Sequence, residues 1–190
     1  MKKKEITSED KVNTFKDELG MIFDVKIREF TKLCIIAAPD YLFLNCPASS
    51  SSRYHPIDEL SYDGTIIHTK RVFTVVYELC RGLGVENRRD ILLSGSLIHD
   101  ARKQGYTHTG HTQKNHPQYA VELIDEVQDA TGLLTDEDHQ TIRKCVGYHY
   151  GPWSISPWIK PLSEYSMEEL VVYVSDYVAS KRCVKVDYTR

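Results

Sequence analysis

The run Leu92-Leu93-Ser94-Gly95-Ser96-Leu97-Ile98-His99-Asp100 is apolar, holds three small residues in a row, and ends in two polar ones. Leu92, Gly95 and His99 fall on one face at helical spacing. Ser94, Gly95 and Ser96 are small enough for a neighbouring helix to approach closely. The segment therefore reads as a helix packed among helices. Its inner stripe closes on a histidine where a core stripe would normally close on Leu or Val.

The same pattern recurs on both sides. Upstream, His68, Val72, Val75 and Leu79 repeat at helical spacing, and Gly84 sits where a C-cap glycine belongs. Downstream, His116-Pro117 opens a helix, because proline suits the first helical position. Ala120, Ile124 and Val127 follow on one face, and Gly132 ends the segment. Thr135 caps the next helix, with Asp136, Glu137 and Asp138 in the first turn, where the dipole favours anions. Ile142, Val146 and His149 share its inner stripe. Ser166-Met167-Glu168-Glu169 is a capping box, and the helix after it carries Leu170, Val174, Asp176, Tyr177 and Val178. Towards the N-terminus, Ser8-Glu9-Asp10 starts a helix running to about Gly20, and a second spans Ile22 to Ala37. From Pro39 to Arg53 the pattern breaks into loop chemistry, with Pro47 and the serines at 49–52. No convincing period-2 alternation appears. The expectation is one all-α domain.

Composition narrows the function classes. The chain has 190 residues, enough for one domain with a real core. At 41% hydrophobic and 27% charged it reads as neither disordered nor membranous. Its formal charge is −3, whereas a domain built mainly to hold nucleic-acid backbone is usually clearly basic. Met1-Lys2-Lys3-Lys4-Glu5 is basic but leads into no apolar run, so it is not read as a secretory signal. The five cysteines are odd in number, scattered and free of any CxxC pair. They read as reduced thiols of a cytoplasmic protein.

Histidine carries the chemical signal. His68, His99, His116 and His149 each close an inner stripe. One inward histidine is usually a satisfied core residue. Four of them, with Asp100 beside His99 and Asp176 on a late helix, make a set that binds divalent metal well.

Ile98-His99-Asp100-Ala101-Arg102-Lys103 resembles the His-Asp-x-x-Lys signature of the HD-domain metal-dependent phosphohydrolases. Members of the two-metal type order their ligands His, His-Asp, His, His, Asp. This chain has His68, His99-Asp100, His116, His149 and Asp176 in that order. The resemblance runs from about Arg53 to Ser180 and implies an HD helical bundle with extra N-terminal helices. A single domain over 1–190 would comprise an N-terminal helical segment (1–46), an HD core (47–180) and a C-terminal tail (181–190). A second resemblance lies upstream, in Pro47-Ala48-Ser49, Tyr54-His55-Pro56 and Ile67-His68-Thr69. It is similar to the segment before the first ligand in HD-type 3′-to-5′ exoribonucleases and relaxase-associated HD proteins. Here Tyr54-His55 replaces their His-His, and Asp63 to Ile67 replaces their Gly-Gly-Leu-Leu.

The first resemblance implies one or two divalent ions. His68, His99, Asp100 and Asp176 would hold one, His116 and His149 the second, with Asp100 bridging and an activated water attacking phosphorus. Mixed His and Asp ligation admits Mn, Fe, Co, Ni or Zn. Asp100 and Lys103 are the expected catalytic residues, and Lys103 would contact the phosphate as a point charge. Lys103 is placed one helical turn past His99. His55, on the loop before the first ligand, either binds substrate, protonates a leaving oxygen or is simply exposed. His111, within the Gly105 to Thr112 segment read as a mobile lid, is a further substrate-binding candidate and the replacement should His116 not be the third ligand. His108 in the same segment and His139 read as surface histidines. Tyr148, Tyr150 and Trp153 either stack a nucleobase or simply pack. The expected partner is a small phosphorylated substrate of nucleotide type, with no membrane. A phosphodiesterase on single-stranded nucleic acid and a non-catalytic nucleotide-binding module are the competing readings.

Overall fold

The computed structural model describes residues 6–50 and 53–188. Every regular element among them is helical. In chain order these are α1 (Ser8–Thr14), α2 (Lys16–Gly20), α3 (Val25–Ala37), α4 (Tyr41–Leu44), α5 (Gly64–Gly82), α6 (Arg89–Ile98), α7 (His116–Thr131), α8 (Asp136–Tyr148) and α9 (Met167–Ala179). Short 3₁₀ turns lie at Ile57–Leu60, Glu86–Arg88, Gly151–Trp153 and Leu162–Glu164. The expected all-α class holds.

Helix α6 is the hub, packing on α3, α5, α8 and α9. Its residues Ile91 to Ile98 are all buried. The small residues explain how so many neighbours fit. A Cβ built on Gly95 would rest in ordinary contact with the Cys145 side chain of α8. On the opposite flank Thr31 of α3 donates a 2.7 Å hydrogen bond to Ser94. Around this hub α5 lies along α9, α7 along α8, and α1 covers α3. The core is continuous, from Phe15 and Phe30 through Val72, Leu92, Leu93, Ile124 and Ile142 to Val172.

The cap signals work as chemistry dictates. Thr135 accepts from the Asp138 amide, and Ser166 with Glu169 closes a reciprocal capping box. Gly132 ends α7 in the left-handed region. At the N-terminus the sequence reading needs correction. The expected helix from Ser8 to Gly20 breaks at Phe15, which leaves helical geometry and sinks its ring into the core. The next helix starts at Val25 rather than Ile22, because Asp24 is its N-cap and accepts from the amides of Lys26 and Ile27. The run from Pro39 to Arg53 also holds a turn of helix, α4. Ser51 and Ser52 of the serine run lie outside the described residues.

Just before the last histidine of the set, α8 meets a tight constraint. A Cβ on Gly147 would lie 2.0 Å from the Trp158 ring. That ring is held in place by a 2.6 Å bond from its Nε1 to Gln118 and by the Arg143 guanidinium against its face. Gly147→Ala must push this staple off the helix. The expected cost is typical of overpacking, about 1–3 kcal/mol, read as a lowered midpoint in a thermal melt followed by circular dichroism.

Candidate metal centre

The six side chains come from five separated places and converge. His68 lies in the second turn of α5, His99 caps the end of α6, His116 opens α7, His149 caps the end of α8, and Asp176 is in the last turn of α9. Four helix ends and the flank of α5 thus face one another. His68, His99, Asp100, His116 and His149 are buried. Neighbouring imidazole rings sit edge to face: His68 on His99 at 5.6 Å between centroids, His99 on His149 at 4.9 Å, and His116 on His149 at 5.0 Å.

The backbone fixes which nitrogen each ring presents. Nδ1 of His99 donates to the Ser96 carbonyl at 2.7 Å, Nδ1 of His116 to Gln113 at 2.7 Å, and Nδ1 of His149 to Val146 at 2.6 Å. A carbonyl can only accept, so each Nδ1 carries the proton and each Nε2 offers a lone pair. The Nε2 atoms of His116 and His149 then face each other at 3.0 Å, lone pair to lone pair. Nothing stabilises that approach except a cation or a proton between them.

Asp100 stands between two halves of the cluster. One oxygen, Oδ1, is 3.2 Å from His116 Nε2 and 3.8 Å from His149 Nε2. The other, Oδ2, is 3.4 Å from His99 Nε2 and carries the Lys103 ammonium. Asp176 Oδ1 lies 2.8 Å from His68 Nε2 and 4.0 Å from His99 Nε2. Among the described residues, three sets of three offer ligand atoms within reach of a common ion: His68, His99 and Asp176; His99, Asp100 and His149; and, beside them, His55, Glu59 and His68. His99 Nε2 and Asp100 Oδ1 are buried with no hydrogen-bond partner. An unsatisfied buried polar atom costs about 1–3 kcal/mol, and a divalent ion would satisfy both. The donor set and its orphaned atoms fit a metal.

The electrostatics of His149 and Asp100 agree, whereas His68 is protonated as it stands and must shed its Nε2 proton to ligate an ion. Burial, reinforced by His99 and His116, pushes the His149 pKa down to about 3, leaving a neutral ring suited to ligation. Burial works against charge on Asp100, but Lys103, His99 and His116 outweigh it and hold the carboxyl well below the usual range. Burial likewise opposes charge on His68, yet Asp176 and Glu59 lift its pKa to about 9.

Several expectations need adjusting. Helix α6 stops at Ile98, so Lys103 sits in a series of turns and not a helical turn beyond His99, although it is buried and reaches Asp100 as anticipated. His55 is neither fully exposed nor remote: its ring lies 5.2 Å from that of His68, with Nδ1 on Glu59 at 2.7 Å. His111 is exposed and bonded locally, to the Thr109 carbonyl and the Gln113 side chain, and the structure does not bring it into the cluster. His108 stacks on Tyr41. His139 is half-buried instead of surface-lying, with Nε2 2.9 Å from Asp125. Tyr148 packs against Trp158 and Tyr165, whereas Tyr150 lies on His116 at 4.8 Å and Trp153 is largely exposed.

Two residues beside the site escaped the sequence reading. Glu59 is fully buried and touches His55, His68 and Arg71. Arg71 is paired with both Glu59 and Asp58. Neither lies in a motif. The one cue was an acidic pair, Asp58-Glu59, shortly before the first histidine.

A helical bundle that gathers imidazoles and carboxylates at the ends of its helices defines a binder of divalent metal. The HD domain family matches residues 65–181, and the chain belongs to it. HD domains are generally metal-dependent hydrolases, within a superfamily of phosphohydrolases. Comparison with curated proteins and with solved structures returns no match.

Proposed function

We propose that this chain hydrolyses a phosphate ester, phosphodiester or phosphoanhydride bond of a nucleotide-type substrate. The observation that carries the reading is the meeting of His68, His99, Asp100, His116, His149 and Asp176 with the buried Lys103. Divalent ions held there would polarise a water and withdraw charge from phosphoryl oxygens. Asp100, with one oxygen towards each half of the cluster, is suited to bridge two such ions. Lys103 supplies an ammonium to phosphate oxygens from a site where little water screens it. His55, whose ring lies against that of His68 in the segment before α5, contacts the substrate in this reading.

The nucleotide part of the proposal draws on the surrounding aromatics. From His116 a row of contacts runs through Tyr150, Trp153 and Tyr177 to Lys181 and Tyr54, the neighbour of His55. Trp153 and Tyr177 stack at 5.9 Å and 7° between planes, yet both remain partly exposed. Such rings accept a base by stacking, worth about 1–3 kcal/mol per base. The row with its Lys181 ammonium also suits successive bases of a single strand, which is the second reading.

The test is a screen of mononucleotides, cyclic dinucleotides and short oligonucleotides against metal-reconstituted protein, with products read by chromatography. Chelator-sensitive turnover on mononucleotides or cyclic dinucleotides is expected. Turnover of oligonucleotides alone would favour the second reading. Full metal loading without turnover on any of them would make the chain a binding module. For the favoured substrate, Trp153→Ala is expected to raise KM by about tenfold with little change in kcat. It should leave KM for ribose 5-phosphate, which carries no aromatic ring to stack, nearly unaltered.

A further inference from the structure

Among the four clustered histidines, His68 is held differently. The other three give their Nδ1 protons to backbone carbonyls one turn earlier. His68 Nδ1 instead lies 3.2 Å from a carboxylate oxygen, Glu59 Oε2. The alignment falls short of a well-formed hydrogen bond, and Nδ1 has no other partner. Nε2 points the opposite way, to Asp176.

Glu59 is built into place. It is 0% exposed. Its Oε1 accepts from Arg71 at 2.6 Å, and its Oε2 is 2.7 Å from His55 Nδ1. Its backbone is clamped as well. The Glu59 carbonyl accepts from the Ala48 amide at 2.8 Å and lies so close to Gly64, the first residue of α5, that a Cβ there would come within 1.9 Å of it. The carboxylate is thus locked to the helix that carries His68. Burying a carboxylate is costly, and such groups persist where they have fixed cationic partners. Arg71 alone is already served by Asp58. The distinct service of Glu59 is to the two histidines.

We propose that Glu59 is the positioning residue of the metal centre: it accepts a hydrogen bond from the Nδ1–H of His68, fixes the ring with Nε2 towards the ion, and makes His68 the strongest imidazole donor of the set. A carboxylate behind a ligating imidazole raises its basicity more than a neutral carbonyl does. The same carboxylate holds His55 in register with His68. A position taken up by the substrate-contacting segment and the first ligand are thereby set by one group. The inference rests on the metal-binding reading of the cluster, and its failure is separable from failure of that reading.

The experiment is manganese binding by isothermal titration calorimetry, with stoichiometry by elemental analysis, on wild type and Glu59→Gln. A loss of about 10–100-fold in affinity is expected, with stoichiometry recovered at saturating manganese and helical circular dichroism unchanged. Equal affinity in the two proteins overturns the proposal and leaves the metal centre standing. Loss of a metal equivalent at saturation also overturns it, because Glu59 would then be a ligand. A wild type that takes up no manganese overturns both readings. Should Glu59→Gln fail to fold, the wild type answers alone. In zinc-loaded protein labelled with ¹⁵N-histidine, His68 should be metallated at Nε2, with its Nδ1 proton the farthest downfield of the ligand rings. Zinc on Nδ1, or a His68 Nδ1 proton no farther downfield than those on the carbonyls, refutes it.

Discussion

Asp100→Asn is expected to abolish both metal content and hydrolysis while leaving the helical fold in place. The substitution keeps the shape and removes the charge at the junction of the cluster. Asp100 Oδ1 lies 3.2 Å from His116 Nε2, and Oδ2 lies 3.4 Å from His99 Nε2. A neutral amide presents one weaker acceptor and turns two N–H donors towards nitrogens that already offer lone pairs or towards the Lys103 ammonium. Turnover should fall by at least about 10³-fold, the upper range for losing one preorganised electrostatic group. Elemental analysis should find the metal gone or sharply reduced. Lys103 would be left buried without its carboxylate, which costs about 3–5 kcal/mol when a buried pair is broken one-sidedly. A lower melting midpoint with a retained helical spectrum is therefore part of the expected result. A folded Asp100→Asn protein with full metal and wild-type turnover would remove Asp100 from the centre.

Its neighbour His99 shows why much of the site was legible in the sequence. An imidazole at the end of an apolar helical stripe is conspicuous, because the stripe predicts burial and the residue type resists it. That conflict marks His99 within Leu92 to His99 and His149 within Ile142 to His149, and in both cases the ring caps a helix end inside the protein. Helix starts were legible for a similar reason: Thr135 and Ser166 advertise local bonds that need no tertiary partner.

What stayed hidden depends on tertiary contact. Glu59 lies in a 3₁₀ turn with no periodicity, and its meaning comes from His68 and Arg71, nine and twelve residues further on. The break at Phe15 follows from where that ring must go, since the local sequence is compatible with an unbroken helix. The acidic run before His139 points to a surface group. The actual partner of His139, Asp125, belongs to α7. His111 and His55 were indistinguishable as loop histidines, and only the packing of the two loops separates the exposed ring from the one beside His68.

Lys103→Met should move two measurements in opposite directions. Lys103 is buried at 6% exposure, and its ammonium rests on Asp100 Oδ2. Burial alone would lower its pKa, but Asp100 more than compensates and raises it, so the side chain is charged in the resting protein. A divalent cation drawn to the same carboxylate meets that charge as a like-signed neighbour. An ammonium and a divalent ion about 4 Å apart repel by about 8 kcal/mol at an effective dielectric of about 20, twice the value for two unit charges and an upper bound once the lysine swings aside. Removing the ammonium while keeping an apolar chain of similar length therefore favours the ion, and manganese affinity is expected to rise by about tenfold or more. Turnover is expected to fall by about 10²–10³-fold, because the phosphate loses a charge-assisted donor in a site that excludes water. The tighter-binding protein should be the slower enzyme. If metal affinity drops with the lysine, the ammonium supports the centre instead of competing with the ion. If affinity rises and turnover is untouched, Lys103 is a counter-charge for Asp100 in the metal-free protein and has no hand in the chemistry.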